Sequence, residues 1–238
     1  MSTATAPSLD LESELCDVGP VVGFDEVGKG SWAGPLYVGA VVIERRDLAG
    51  LGAALDGRGV GRAGVFARIR DSKMLSESVR EQVHDALVDQ CQWAIGAASH
   101  LECDELGMAD AQRLATARAL DALRSDGVDP AVAIADGTWD FVGGQVPRVV
   151  MRPKADRECL SVAAASIIAK VQRDRLMRDL AEHYPLWSLQ SNKGYPCLRH
   201  RAGLVGYGPS AIHRRSWVFM DKQPWSGLKR RSPQTSLF

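Results

Sequence analysis

The chain has 238 residues, of which 45% are hydrophobic, with 29 basic residues balanced by 29 acidic ones. That is enough for one sizeable core, or one core with a small appendage. The five cysteines (16, 91, 103, 159 and 197) are odd in number and form no CxxC pair, which argues against a zinc site or a disulfide framework and for reduced thiols in a cytoplasmic protein. Residues 1–18, rich in Ser, Thr, Ala and acids, read as a flexible leader without signal-peptide character. VVGFDEV (21–27) and LYVGAVVIE (36–44) read as two strands, antiparallel because the spacer between them is short. Residues 46–70 are rich in Gly and Arg and read as a loop. A helix follows from Ser76, a candidate N-cap, through Gln90. CQWAIGAAS is a third strand, and a long helix runs from Asp104 to Gly127. AVAIA is a buried strand ending at Asp136-Gly137, and VPRVVM is a fifth. A second long helix covers 160–184, with Leu160, Ala164, Ile167 and Val171 on one face. Short helical pieces occupy 185–219, and 220–238 reads as a basic flexible tail. The apolar runs are too short to span a membrane.

Strands first and then strand–helix alternation mean an α/β protein, a five-stranded mixed sheet flanked by helices over residues 19–184. The neutral total hides an asymmetry. Nine Lys or Arg and one acid lie between Lys193 and Phe238. Such a stretch suits a polyanion, or is simply a solvated tail.

Four carboxylates stand at element ends. Asp25 and Glu26 close the first strand, Asp136 closes the fourth, and Asp156 precedes the second long helix. Strand ends gather at one edge of an α/β sheet, so these acids can converge. Converging carboxylates repel unless a cation sits among them, and oxygen donors without His or Cys suit Mg²⁺ or Mn²⁺. Two such ions can activate a water in phosphodiester hydrolysis. Taken singly, Asp136-Gly137 is also an ordinary turn, and Asp156 an ordinary charge at a helix N-terminus. The adjacent pair poses a further problem, because neighbouring side chains on a regular strand face opposite ways. Either the strand end bulges, or Glu26 reaches the site from the other side.

GKGSWAG after a strand also matches GxGxxxG, a dinucleotide-binding turn, but such a turn must open a helix, and here Pro35 and a strand follow. Two glycines would instead let backbone amides approach a ligand, with Lys29 between them as a phosphate contact.

FDEVGKGSWAGP resembles the GxDEVGRGxxxGP signature of bacterial ribonuclease HII, in the type 2 ribonuclease H family. Further blocks follow in order: DSKMLSE at 71–77, Asp-Gly at 136, KAD at 154–156, AAASIIAKVQRDRLM at 163–177, NKGYP at 192–196 and HRRSW at 213–217. The resemblance spans residues 20–218. It implies a ribonuclease H-like fold with a helical C-terminal extension (185–219) that binds substrate. It implies an endonuclease acting on RNA/DNA hybrids and cutting 5′ to ribonucleotides embedded in duplex DNA, leaving 3′-hydroxyl and 5′-phosphate ends. The metal-binding and catalytic acids would be Asp25, Glu26, Asp136 and Asp156, holding two Mg²⁺ or Mn²⁺ ions with the substrate. Gly28, Lys29 and Gly30 would sense the ribose 2′-hydroxyl, and Tyr195 the junction, since only that hydroxyl separates RNA from DNA at one position. Ser72 and Lys73 would lie near the substrate backbone. A monomer is expected.

Lys29 stands where Arg is commoner, which keeps the charge but loses the planar fork. KAD replaces KGD, which leaves the backbone before Asp156 less free. Trp217 stands where Phe is commoner. The last five residues, QTSLF, resemble the bacterial sliding-clamp pentapeptide, with Gln234, Leu237 and Phe238 as the docking residues. A non-catalytic hybrid binder is the other class that fits a basic C-terminus. The intact four-acid set argues against it, because acids beside phosphate weaken pure binding.

Overall fold

The computed structural model describes residues 6–55, 66–70 and 72–224. Five strands form one sheet: β1 (Val21–Val27), β2 (Leu36–Ile43), β3 (Gln92–Ala98), β4 (Val132–Asp136) and β5 (Arg148–Arg152). Their order is β3-β2-β1-β4-β5. β1 pairs antiparallel with β2, as the short spacer between them predicts, and β2 pairs antiparallel with β3. β4 and β5 join by parallel pairing on the other side. The helices are α1 (Asp10–Leu15), α2 (Leu48–Leu55), α3 (Glu77–Gln90), α4 (His100–Ser125), α5 (Ala155–Glu158), α6 (Leu160–His183), α7 (Leu189–Asn192) and α8 (Leu198–Tyr207).

β1 and β2 are apolar on both faces because helices cover both. One face, with Val21, Val41, Ile43 and Ile134, packs against α6 and α3. The other, with Val22, Phe24, Val38 and Ala135, packs against α4 through Ala111, Ala115 and Leu120. α6 lies close on the sheet: a Cβ on Gly39 would stand 2.4 Å from the carbonyl oxygen of Ala165. Leu160, Ala164, Ile167 and Val171 are all buried, as their spacing predicts.

Ser76 caps α3, accepting from the Val79 amide. α4 begins earlier than expected, at His100, because Ser99 and Glu102 form a reciprocal capping box. It kinks at Gly107, where φ is 76°.

Three expectations change. The leader is not wholly flexible. Leu9, Leu15 and Cys16 enter the core, and Glu12 accepts from both the amide and the hydroxyl of Ser161 at 2.8 Å, satisfying the start of α6. Part of the Gly/Arg-rich stretch is helical: Glu44 and Asp47 form a capping box over a 3₁₀ turn that leads into α2. Residues 220–222, expected to open a flexible tail, are instead ordered. Val218–Lys222 is a 3₁₀ turn, and Phe219 stacks on Trp32 with ring centroids 4.5 Å apart. Trp32, Met177, Trp187, Leu204, Ile212, Phe219 and Met220 form a third apolar cluster, which fastens the C-terminal helices to the end of α6. Among the described residues, no helix is long and apolar enough to cross a membrane.

Candidate active site

The pairing of β1 with β2 runs in unbroken register through Asp25↔Gly39, Glu26↔Val38 and Val27↔Tyr37. There is no bulge, so Asp25 and Glu26 face opposite sides of the sheet. Gly23 lies against Ser161 of α6, and Asp25, two residues on, shares that side. Phe24 packs toward α4, and Glu26 does likewise: Gln112 of α4 donates Nε2–H to Glu26 Oε2 at 3.2 Å. Lys29 Nζ lies 3.7 Å from Glu26 Oε1.

β4 runs beside β1 with Phe24 opposite Ala135, so Asp136 comes level with Asp25. Ile134 packs toward α6, which puts Asp136 on the same side as Asp25. Its Oδ1 accepts the Ala155 amide at 2.9 Å, tying β4 to α5, where Asp156 is buried. The KAD variation is absorbed without strain at its alanine. Ala155 is helical, and the left-handed residue is Lys154, at φ 64°.

Burial pushes the Asp25 carboxyl well above the ordinary aspartate range, and the charges of Glu26, Asp136 and Asp156 push it further. Its Oδ1 accepts the Glu26 amide at 2.8 Å, which only partly offsets this. The four acids are therefore one electrostatic group. Among the described residues, however, no three His, Cys, Asp or Glu side chains close on a common point. Glu26 is drawn toward Gln112 and Asp136 toward Ala155. The donor chemistry fits a hard divalent cation: Asp25 and Glu26 line a cleft of about 320 Å³ with neither His nor Cys in its lining, while Asp136 and Asp156 stand outside that lining.

The same cleft is lined by Gly28, Lys29, Gly30, Ser72, Ser166, Lys170 and Tyr195. The Gly28 amide donates to Tyr195 Oη at 3.0 Å, so the glycine loop and the tyrosine meet across 167 residues of chain. Gly28 has φ +93°, and a Cβ there would stand 2.4 Å from Arg173 Nε. Gly30 differs: its nearest neighbour is the Tyr195 ring, at an ordinary 3.9 Å. Ser72 is buried and accepts from the Ser166 hydroxyl at 2.8 Å. Lys73 shares the turn Ser72–Met74, but its side chain lies outside the described residues, as do Gln234, Leu237 and Phe238.

Residues to which the sequence assigned no role hold this arrangement. Arg173 of α6, fully buried, donates to the carbonyls of Pro35, Lys193 and Ala33 and to the Ser31 hydroxyl. Its guanidinium also lies 5.4 Å from the Tyr195 ring centroid. Arg214, also buried, donates to the carbonyls of Gly34 and Lys29. A signal for Arg173 does exist: Val162, Ser166, Ala169 and Arg173 make a second buried stripe on α6. Lys170 donates to Asp174 Oδ1 at 2.7 Å, and burial lowers its pKa. Behind Tyr195 stand two histidines. The Ser210 amide donates to His213 Nδ1, so His213 Nε2–H donates to His200 Nε2 at 2.9 Å, and His200 Nδ1–H donates to the Tyr195 carbonyl. Burial first, then His200, pushes the His213 pKa down to about 3, so this chain of bonds stays neutral.

Residues 22–220 match the family model described as Ribonuclease HII. A Ribonuclease HII of Streptomyces griseus subsp. griseus is 41% identical over 217 residues, covering 88% of this chain and 82% of that protein. The crystal structure of the ribonuclease H2 from Pyrococcus horikoshii OT3 superposes with a TM-score of 0.66 at 28% identity, covering 85% of this chain and 96% of that one. A structure of the PCNA:RNase HII complex from Archaeoglobus fulgidus contains a chain with TM-score 0.63 and 27% identity, covering 83% and 94%.

Proposed function

The chain belongs to the ribonuclease HII family and is a ribonuclease H endonuclease, and from that premise we propose that it cuts the RNA strand of RNA/DNA hybrids and incises duplex DNA 5′ to an embedded ribonucleotide. The observation that carries this reading is the bond between the Gly28 amide and Tyr195, beside the acid group. A site that must license cutting on a single 2′-hydroxyl needs its sensor next to the scissile phosphate.

Asp25, Glu26, Asp136 and Asp156 would hold two Mg²⁺ or Mn²⁺ ions. When bound, such ions supply positive charge to the phosphoryl oxygens and lower the pKa of water. The rest falls to the chain. Gly28, Lys29 and Gly30 would form the loop that meets the ribose, with the Lys29 ammonium toward phosphate and with Arg173 and Arg214 fixing the loop from behind. Tyr195 offers an aromatic face for the sugar at the junction. Ser72 and Lys73 would meet the substrate backbone, and Lys170 adds a cation to the cleft wall. The products would carry 3′-hydroxyl and 5′-phosphate ends, a role in ribonucleotide removal from DNA. The basic C-terminal stretch would hold duplex backbone by counterion release. The archaeal relative in complex with PCNA supports a clamp partner, reached here by Gln234, Leu237 and Phe238.

The test is a gel assay with a 5′-labelled duplex carrying one ribonucleotide, run beside a long RNA/DNA hybrid with Mg²⁺ or Mn²⁺. Cleavage directly 5′ to the ribonucleotide is expected, and Asp25→Asn should fall to background. Normal turnover by Asp25→Asn would reject the assignment of the acids. Tight hybrid binding without cleavage by the parent protein would reject the catalytic reading.

A further inference from the structure

Glu26, Lys29 and Gln112 form a closed polar ring. Gln112 Nε2–H donates to Glu26 Oε2 at 3.2 Å, its Oε1 accepts from Lys29 Nζ at 3.1 Å, and Lys29 Nζ lies 3.7 Å from Glu26 Oε1. Gln112 is 1% exposed, whereas the Lys29 side chain is half exposed. A carboxamide can serve an anion at its donor end and a cation at its acceptor end. A Leu or Met of similar size could fill this position on α4, so the amide brings polarity to a site that packing alone does not require to be polar. Lysine also suits the ring better than arginine would. A compact ammonium reaches both the Gln112 oxygen and the Glu26 carboxylate, where a planar fork demands parallel acceptors.

The carboxylate of Glu26 therefore already has a cation, the Lys29 ammonium. Asp25 and Asp136 lie on the α6 side of the sheet, whereas Glu26 lies on the α4 side, where the ring holds it. Glu26 nevertheless shares a cleft and an electrostatic coupling with Asp25, so a divalent ion bound there meets the Lys29 ammonium as a competing charge, while the amide of Gln112 holds the carboxylate in place.

We propose that Gln112 is a positioning residue for Glu26, and that Lys29 is an internal counter-cation which a divalent ion displaces, freeing the Lys29 ammonium to meet substrate phosphate. This rests on Glu26 being a metal ligand. It gives the loop two states, and ion binding selects the one that faces nucleic acid.

The two partners then act on ion affinity with opposite signs. Calorimetric titration of the full chain with Mn²⁺, without nucleic acid, reads this directly. Gln112→Leu should weaken Mn²⁺ binding by about tenfold, the usual effect of losing a group that orients a ligand. Lys29→Met should tighten it about threefold or more by removing a competing charge, and added salt should shrink that gain. With a short cleavable duplex, Lys29→Met should also lower the slope of log KM against log salt by about one unit.

Melting curves in chelator report whether each variant is folded. If Gln112→Leu is not, Gln112→Met, which keeps chain length and volume, takes its place. Unchanged Mn²⁺ affinity in the folded Gln112 variant, weaker Mn²⁺ binding in Lys29→Met, or an unchanged salt slope would each overturn the proposal. Asp25→Asn separates the levels. If it binds Mn²⁺ like the parent, or if the parent binds none, the metal-ligand reading fails and this proposal falls with it.

Discussion

Asp25 is the residue on which the site turns. Burial and its three acidic neighbours raise its carboxyl pKa in the folded chain. A raised folded-state value means that its contribution to stability is full below the ordinary aspartate range and is lost as pH climbs through the raised value. In chelator, the protein should thus become less stable as pH rises over that window. Asp25→Asn should remove that slope and stabilise the neutral-pH protein in chelator. Urea unfolding across pH measures both. Divalent affinity should run the other way and fall on acidification, because the ligand must be deprotonated. At the neighbouring loop, the two glycines should separate. Gly28→Ala meets a positive φ and the Arg173 guanidinium, so a loss of about 1–3 kcal/mol is expected. Gly30→Ala should leave the melting temperature near that of the parent, since its Cβ meets only the Tyr195 ring at contact distance. An effect of Gly30→Ala confined to KM would support a substrate-facing role.

Among the elements, α6 does more than fill the core. It carries the apolar face that packs on the sheet, the Ser166 hydroxyl, Lys170, and the arginine that straps the glycine loop to the turn at 192–196. Arg173→Met would leave the buried carbonyls of Pro35, Lys193 and Ala33 short of a donor. A loss of about 3 kcal/mol or more is expected by urea unfolding. Cutting should suffer more than stability alone would cause, because the loop and Tyr195 lose their common anchor. α1 supports α6 from the other end. Glu12→Ala removes the acceptor for the Ser161 amide and hydroxyl and should cost about 1–2 kcal/mol.

For the whole molecule, the sheet edge, the glycine loop and the C-terminal helices converge on one cleft, while the chain end is the expected clamp contact. Deleting QTSLF should weaken clamp binding, measured by surface capture, and leave cleavage of short duplexes unchanged. Much of this was legible in the sequence. Strands show as alternating or continuous apolar runs and helices as a 3.6-residue period, because these are local properties of the backbone. The five strands and the long helices are therefore all present as expected, though α4 starts earlier, at His100, and the ordered motifs name the family. Other features depended on partners distant in the chain. No local pattern says that Glu12 meets Ser161, 149 residues on, or that Glu26 meets Gln112, 86 residues on. The acidic start therefore read as a leader, and the side taken by Glu26 stayed open. The strand register settled it: with no bulge, Glu26 had to face α4. By itself, then, the sequence determined the five strands, the long helices, the family and the candidate acids, since periodicity and motif are written in neighbouring residues, but not α1 or α2. Tertiary structure alone decided which face each acid takes and which buried arginine or glutamine holds it, since those choices arise only when distant surfaces pack together.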